Sequence, residues 1–132
     1  MAIKHFKLKE FACKCGCDYH IKGAEELVPL MEFLEGIRSF LGDREITIMS
    51  GARCPAHNRK CGGAKASQHM DYKAADIIVK GLPAAQVQAA LFPARKELGI
   101  KGLGFYESFT HVDIRDGRYA TFGTGPRPKE NP

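Results

Sequence analysis

Residues 67–79 place two metal-binding side chains directly before a predicted strand. His69 and Asp76 are too far apart in sequence to be neighbours on one helix face, where paired side chains lie three or four residues apart. The β-branched run at residues 77–79 predicts a buried strand that holds Asp76 at its mouth. A loop must therefore bring His69 to Asp76, and the fold has to place this loop at the start of the strand.

A second segment, residues 109–115, alternates between polar and apolar side chains in the manner of a strand. This alternation puts His111 and Asp113 on one face, and Val112 and Ile114 on the other. Two histidines and an aspartate at the ends of elements match catalytic zinc sites, which have three protein ligands and one open position. The sequence thus predicts a Zn²⁺ site formed by His69, Asp76 and His111.

The remaining groups of a zinc-activated hydrolase can also be assigned. Such a site needs a base for the proton of the attacking water and a cation for the charge on the attacked carbonyl. Asp113, beside His111, is a candidate for the base or for a group that orients the histidine. Arg53 follows the predicted strand at residues 45–50, and it is the candidate electrophile or carboxylate clamp.

Length and composition indicate a single globular domain. The chain has 132 residues, of which 44% are hydrophobic and 27% charged, and no apolar run approaches the roughly 20 residues of a membrane span. The first residues lack the apolar core of a secretory signal. We expect synthesis in the cytoplasm without a signal peptide, and a monomer.

The charge and the cysteines leave alternatives open. A net charge of +5 favours anionic partners, which include cell-wall polymers, membrane surfaces and nucleic acid. Five cysteines without a signal indicate reduced thiols rather than a disulfide framework. Cys13, Cys15 and Cys17, with His20 close by, are either free thiols or ligands of a second, structural metal, although their C-x-C spacing differs from the usual C-x-x-C.

The order of elements predicts an α+β fold with a small antiparallel sheet, two main helices and the zinc site on the open face of the sheet. Apolar periodicity predicts helices over residues 24–41 and 84–98. Strands are predicted at residues 45–50, 76–79, 102–106, 109–115 and 118–122, and the last three form a meander closed by the turn Asp116-Gly117. Residues 54–68 form an irregular loop. Residues 1–123 are the domain, and residues 124–132 a disordered tail.

These motifs resemble the zinc D-Ala-D-Ala carboxypeptidase and L-Ala-D-Glu endopeptidase family, which includes phage endolysin peptidases and vancomycin-resistance dipeptidases. The resemblance covers residues 4–123. The matching residues are Ser50-Gly51-Ala52-Arg53 with Asn58, Gly62-Gly63-Ala64, Ser67-Gln68-His69, Ala74-Ala75-Asp76-Ile77, Gly102-Leu103-Gly104-Phe105-Tyr106 and His111-Val112-Asp113.

The resemblance implies one zinc ion on His69, Asp76 and His111 and hydrolysis of a peptide bond in peptidoglycan stems. It also implies action on the cell wall after release. Arg53, Ser67 and Tyr72 are the candidate substrate-binding residues, although Tyr72 could instead crowd the loop between His69 and Asp76. Two positions depart from the family pattern. Tyr72 stands where many members have glycine, and Ser108 stands where many have the acidic base, so Asp113 is the base candidate and Glu107 the reserve.

Three classes of function are therefore compared. A zinc peptidase of the cell wall, of phage or prophage origin, agrees with the whole set of motifs. A non-catalytic zinc-dependent binding module is the alternative, because Hedgehog signalling domains keep a similar site and Ser108 replaces an acid. A nucleic-acid-binding domain would carry aromatic residues interleaved with a basic run, and none is evident, so we expect no nucleic-acid partner.

Overall fold

The computed structural model describes residues 3–128 of the chain. A 3₁₀ helix at Leu8–Phe11 opens this range. The helices are α1 (Tyr19–Lys22), α2 (Ala24–Phe40), α3 (Pro55–Lys60) and α4 (Ala84–Leu98), and the strands are β1 (Ile46–Ser50), β2 (Ala74–Val79), β3 (Gly102–Phe105), β4 (Thr110–Asp113) and β5 (Ala120–Phe122). Among the described residues, no helix is both long and apolar enough to cross a membrane.

The five strands form one sheet in the order β1-β2-β4-β3-β5, in which only the β3–β5 pair is parallel. The α+β class and the mostly antiparallel sheet are thus confirmed. The predicted meander is wrong in its last step, because β5 pairs with β3 rather than with β4 across the Asp116-Gly117 turn. Strand β4 already has β2 on one edge and β3 on the other, so β5 has to pair at an outer edge of the sheet, and it pairs with β3.

Helices α2 and α4 contact each other, and α4 also contacts β2, β3 and β4. Both helices were predicted, and α4 continues through Pro93. The core beneath them includes Leu34, Leu91, Ile77, Leu103 and Val112, each almost inaccessible to solvent.

The segment predicted as an irregular loop contains the short helix α3. Cys54 caps this helix, because its sulfur accepts the His57 N–H at 3.4 Å, and Pro55 occupies the first helical position, where its missing N–H costs nothing. Six residues without an apolar stripe give no periodic signal, which explains why the helix was missed.

The register of the sheet aligns one row of residues across all five strands. Ser50 lies opposite Asp76, Asp76 opposite His111, His111 opposite Gly104, and Gly104 opposite Phe122. Neighbouring positions along the strands, such as Ile77 and Val112, belong to the core. Because side chains alternate between faces, this row projects from the face opposite the helices.

Part of the segment predicted as a disordered tail contacts the domain. The Gly125 N–H donates to the Phe105 carbonyl at 2.7 Å, and the Arg127 guanidinium lies 4.6 Å from the centre of the Phe105 ring. Residues 129–132, the remainder of that segment, lie outside the described residues.

The N-terminal arm is attached to α2 by a buried carboxylate. Glu35 accepts hydrogen bonds from the backbone N–H groups of Lys4 and His5 at 2.7 and 2.6 Å, and its other oxygen lies 2.6 Å from the His5 ring nitrogen. Burial raises the pKa of Glu35, but the bonds from His5 and Lys4 outweigh this effect and leave the pKa below its usual value.

The lowered pKa of Glu35 gives the first prediction. The substitution Glu35→Gln should lower the free energy of unfolding by about 1.5–3 kcal/mol near neutral pH, the usual contribution of hydrogen bonds to a charged group. A depressed carboxyl pKa stabilises the fold above the pKa of the unfolded chain, about 4.3, and the contribution is lost as the pH falls through the folded-state pKa. The difference between wild type and variant in urea unfolding should therefore shrink from about pH 7 to about pH 3.5. If the difference in unfolding free energy between wild type and Glu35→Gln stayed constant over this pH range, the lowered pKa of Glu35 would be contradicted. Glu25→Gln is the control, because Glu25 is exposed on the same helix.

Candidate active site

The three predicted metal ligands meet on the open face of the sheet. Asp76 and His111 are cross-strand neighbours, and the turn before β2 brings His69 beside them. Asp76 Oδ1 lies 3.0 Å from His111 Nδ1 and 3.3 Å from His69 Nε2. All three residues are buried, and one donor atom from each lies within 4.8 Å of the others.

Each imidazole is held by its outer nitrogen. His69 Nδ1 lies 2.9 Å from the Gly51 carbonyl, so this nitrogen carries the proton and donates. His111 Nε2 lies 2.7 Å from Asp113 Oδ2 and donates in the same way. In neutral imidazoles, the lone pairs are then on His69 Nε2 and His111 Nδ1, the two nitrogens that face Asp76.

This arrangement fits a metal cation such as zinc. His111 Nδ1 and His69 Nε2, which carry the lone pairs, lie 3.0 and 3.3 Å from Asp76 Oδ1, and three electron-pair donors without a cation or proton between them repel one another. The set of two imidazoles and one carboxylate is also the type that catalytic zinc uses.

The pKa shifts of Asp76 and His111 indicate that this cluster favours a positive charge. Burial raises the pKa of Asp76, but His111 and His69, which attract the carboxylate when their rings are protonated, outweigh this effect and hold the pKa well below its usual range. Burial lowers the pKa of His111, whereas Asp113 and Asp76 raise it, and the net shift is upward. The two carboxylates around His111 thus favour a positive charge at this position.

Asp113 lies behind His111, on the far side of the ring from Asp76. It is fully buried, and its two oxygens receive the His111 Nε2–H, the Arg115 backbone N–H at 3.1 Å and the Arg115 guanidinium at 2.9 and 2.6 Å. Burial raises the pKa of Asp113, but His111 and Arg115 hold it well below its usual range. Sequence analysis made Asp113 the base candidate, with orientation of His111 as the alternative, and these contacts favour orientation over proton transfer from water.

A cleft of about 470 Å³ opens beside the ligands, within the usual size of ligand sites. Its walls include Arg53, Ser67, Tyr106, Phe109 and Phe122, together with the three ligands. Sequence analysis predicted Arg53 and Ser67 at the substrate site, and both line this cleft.

Arg53 is held in place at the wall of the cleft. Its guanidinium donates to Asn58 Oδ1 at 3.1 Å and to Ser50 Oγ at 3.2 Å, and it lies 3.8 Å from Asp76 Oδ2. A Cβ atom on Gly63 would collide with the Asn58 side chain and come within 2.9 Å of the guanidinium, so glycine at this position leaves room for the pair.

Two other predicted residues lie away from the cleft. Tyr72 stacks on Tyr19 with ring centres 4.8 Å apart and donates to the Tyr19 carbonyl at 3.0 Å, so its position does not support a substrate contact. Its φ of 61° lies in the left-handed region, which glycine adopts with less strain than tyrosine. Glu107, the reserve base, lines a separate pocket with Gln88 and Thr124.

Sequence reasoning missed three contributors to the site. The Gly51 carbonyl orients His69, but a backbone group leaves no signal in residue type. Arg115 was detectable, because it follows His111 and Asp113 at the two-residue spacing of one strand face. Gln88 was hidden by helical periodicity: its buried amide donates to the Tyr106 and Phe109 carbonyls at 2.9 and 3.1 Å and so holds the loop that carries both aromatic rings.

Comparison with known proteins agrees with this geometry. A sequence model described as Peptidase M15 matches residues 4–113, which include every residue of the metal cluster. The chain belongs to the Peptidase M15 family. Peptidases of this family depend on a metal ion, and the His69, Asp76 and His111 cluster offers this M15 chain a possible metal site. No curated protein sequence matches the chain significantly.

Glycines on β3 leave room for the side chains of β4 in this M15 peptidase. A Cβ atom on Gly102 would collide with the Asp113 carboxylate, and one on Gly104 would come within 2.7 Å of His111 Cβ. These two glycines are the cross-strand partners of Asp113 and His111. The close approach of β3 therefore fixes the position of the histidine and of the carboxylate behind it.

The second prediction tests this close approach. The substitution Gly102→Ala should lower the free energy of unfolding by about 1–3 kcal/mol, because overpacking displaces the buried Asp113 carboxylate. Gly36→Ala is the matched control. A Cβ atom at Gly36 meets no heavy atom within 4 Å and lies inside α2, so this change should stabilise the protein by about 0.5–1 kcal/mol. Equal effects of the two substitutions in urea unfolding would contradict the packing assignment.

Proposed function

We propose that the protein is a zinc-dependent peptidase that hydrolyses a peptide bond in peptidoglycan stem peptides. The observation that carries this proposal is the convergence of His69 Nε2, His111 Nδ1 and Asp76 Oδ1 at the wall of an open cleft. Membership of a peptidase family supports peptide hydrolysis as the reaction. The proposal includes both D-Ala-D-Ala carboxypeptidase and L-Ala-D-Glu endopeptidase activity as possible bond specificities.

His69, Asp76 and His111 would hold the zinc ion, while the Gly51 carbonyl and Asp113 fix the orientation of the two imidazoles. When bound, zinc supplies a water molecule of lowered pKa and polarises the carbonyl that is attacked. The residues around the cleft then have to position the peptide and stabilise negative charge on its carbonyl oxygen.

Arg53 is suited to the charge-stabilising role. The contacts with Asn58 and Ser50 fix its planar guanidinium before any substrate arrives, which reduces the cost of reorganisation during the reaction. Arg115 also lines the cleft. The Arg115 guanidinium is paired with Asp113, so Arg53 is the group placed to contact an anionic peptide, and stem peptides carry free carboxylates. The net charge of +5 likewise suits an anionic cell wall, on which we propose that the enzyme acts after release from the cytoplasm.

One observation favours a second candidate function. Among the residues that line the cleft, Asp76 is the only carboxylate, because Asp113 and Glu107 are not part of the lining. A cleft with a metal site and no second carboxylate also suits a zinc-dependent module that binds cell-wall peptides without cleaving them. The two functions differ in turnover, which is directly measurable.

The third prediction concerns Arg53. Arg53→Lys keeps the positive charge but loses the planar fork, so it cannot contact Asn58, Ser50 and a substrate oxygen in the same geometry. We expect kcat/KM for stem-peptide hydrolysis to fall by about 100-fold, the usual effect of losing one oxyanion donor, while the zinc content stays at its wild-type value and the protein still folds. Unchanged kcat/KM would remove Arg53 from the reaction.

The fourth prediction separates the two roles of Asp113. If Asp113 orients His111, Asp113→Asn should weaken zinc affinity by about 10- to 100-fold, and added zinc should restore activity. If Asp113 were the base, zinc affinity would hold while hydrolysis fell by about 100-fold or more at saturating zinc. We expect the first result. Glu107→Gln, assayed in parallel, should leave hydrolysis unchanged because Glu107 lies outside the cleft lining.

The fifth prediction tests the proposed function itself. Incubation of the zinc-loaded protein with purified peptidoglycan should release fragments whose masses identify the cleaved bond. Loss of the terminal alanine would indicate a carboxypeptidase. Release of stem peptides that lack the glycan-linked alanine would indicate an endopeptidase. His111→Ala should abolish the release. Stoichiometric zinc and peptide binding without any cleavage would support the binding module instead.

A further inference from the structure

A second group of metal-binding side chains lies outside the cleft. Cys13, Cys15, Cys17 and Cys54 bring their sulfur atoms within 4.8 Å of one another. The Cys15 sulfur lies 3.4 Å from that of Cys13 and 3.7 Å from that of Cys54. Sequence analysis left His20 as the fourth member, but the structure groups Cys54 with the three cysteines of the arm instead.

Local structure directs the four sulfurs to one point. Gly16 adopts a left-handed φ of 86° and its N–H donates to the Cys13 carbonyl at 3.0 Å, so the C-x-C-x-C segment bends into a tight turn. Cys54 caps α3 from the opposite side. The chain therefore brings cysteines from positions about 40 residues apart into one cluster, which a single local loop does not explain.

Backbone N–H groups point at two of the sulfurs. The Cys54 N–H donates to the Cys13 sulfur at 3.4 Å, and the His57 N–H donates to the Cys54 sulfur at the same distance. Such bonds resemble the outer hydrogen bonds that orient ligands in metal sites.

We propose that Cys13, Cys15, Cys17 and Cys54 bind a structural zinc ion. Four thiolates form a closed tetrahedral zinc site, and zinc–sulfur bonds of about 2.3 Å separate the sulfurs of such a site by about 3.8 Å. The two sulfur–sulfur distances of 3.4 and 3.7 Å are close to this separation. This site does not depend on the proposed peptidase function, because it shares no ligand with the His69, Asp76 and His111 cluster.

The four cysteines lie next to the segment that forms one wall of the cleft, so a zinc ion there would have a structural role. Cys54 directly follows Arg53, and the Ala52 N–H donates to the Phe11 carbonyl of the arm at 3.0 Å. An ion on the four cysteines would therefore clamp the arm against the segment that carries Arg53 and the Gly51 carbonyl. It would stabilise the wall of the cleft without taking part in hydrolysis.

The test is metal content of the full chain, purified under reducing conditions with zinc and dialysed. Wild type should contain two zinc ions per chain. Cys15→Ser should contain one and keep the ion of the cleft, whereas His111→Ala should contain one and keep the ion of the cysteines. The double variant should contain none. Cys61→Ser is the matched control, because Cys61 is exposed like Cys15 but does not belong to the cluster, and it should contain two.

Thiol reactivity of the wild type provides a second readout that does not depend on how the variants fold. Cys15 is exposed, so a thiol reagent can reach it unless a metal ion covers its sulfur. In the zinc-loaded protein we expect only Cys61 to react quickly, and removal of the metal with a strong chelator should raise the labelling rate of Cys15 severalfold. Rapid labelling of Cys15 before chelation, a disulfide in the intact mass, iron with sulfide in place of zinc, or an equal zinc content in wild type and Cys15→Ser would overturn the proposal.

Discussion

The central constraint on this structure is a carboxylate oxygen that two imidazole nitrogens face within a buried cluster. Asp76 Oδ1 lies 3.0 Å from His111 Nδ1 and 3.3 Å from His69 Nε2. Because hydrogen bonds occupy the outer nitrogen of each ring, rotation cannot relieve the convergence of lone pairs. Only a cation or a proton makes the arrangement favourable. The fold therefore holds its ligands in the geometry of the occupied site, which reduces the reorganisation needed to bind a metal.

The register of the sheet places two of the three metal-binding side chains close together. Asp76 and His111 face each other on adjacent strands, with Ser50 beyond Asp76 and Gly104 beyond His111. A slip of one residue in any of these pairings would turn a ligand toward the helices and a core side chain toward the cleft. The apolar residues on the helix-facing side resist such a slip, so burial of the core also fixes the metal site. The glycines of β3 then set how closely the next strand approaches.

Much of this arrangement could be predicted from the sequence because it depends on local periodicity. Alternation around His111 placed this residue and Asp113 on one strand face, and the three- and four-residue spacing of apolar side chains identified both long helices. The pairing of β5 could not be predicted in this way, since it depends on which strand edges remain free after β2 and β3 have flanked β4. Tertiary contacts likewise decide that Tyr72 stacks on Tyr19 and that Cys54, rather than His20, joins the cysteines of the arm.

An anomalous difference map, recorded at the zinc absorption edge from crystals of the zinc-loaded protein, tests the central claim most directly. The account predicts a peak bonded to His69 Nε2, His111 Nδ1 and Asp76 at about 2.0–2.2 Å, with His111 Nε2 still donating to Asp113. A peak on His111 Nε2 with Asp113 as a ligand, or no peak between His69 and Asp76, would contradict it.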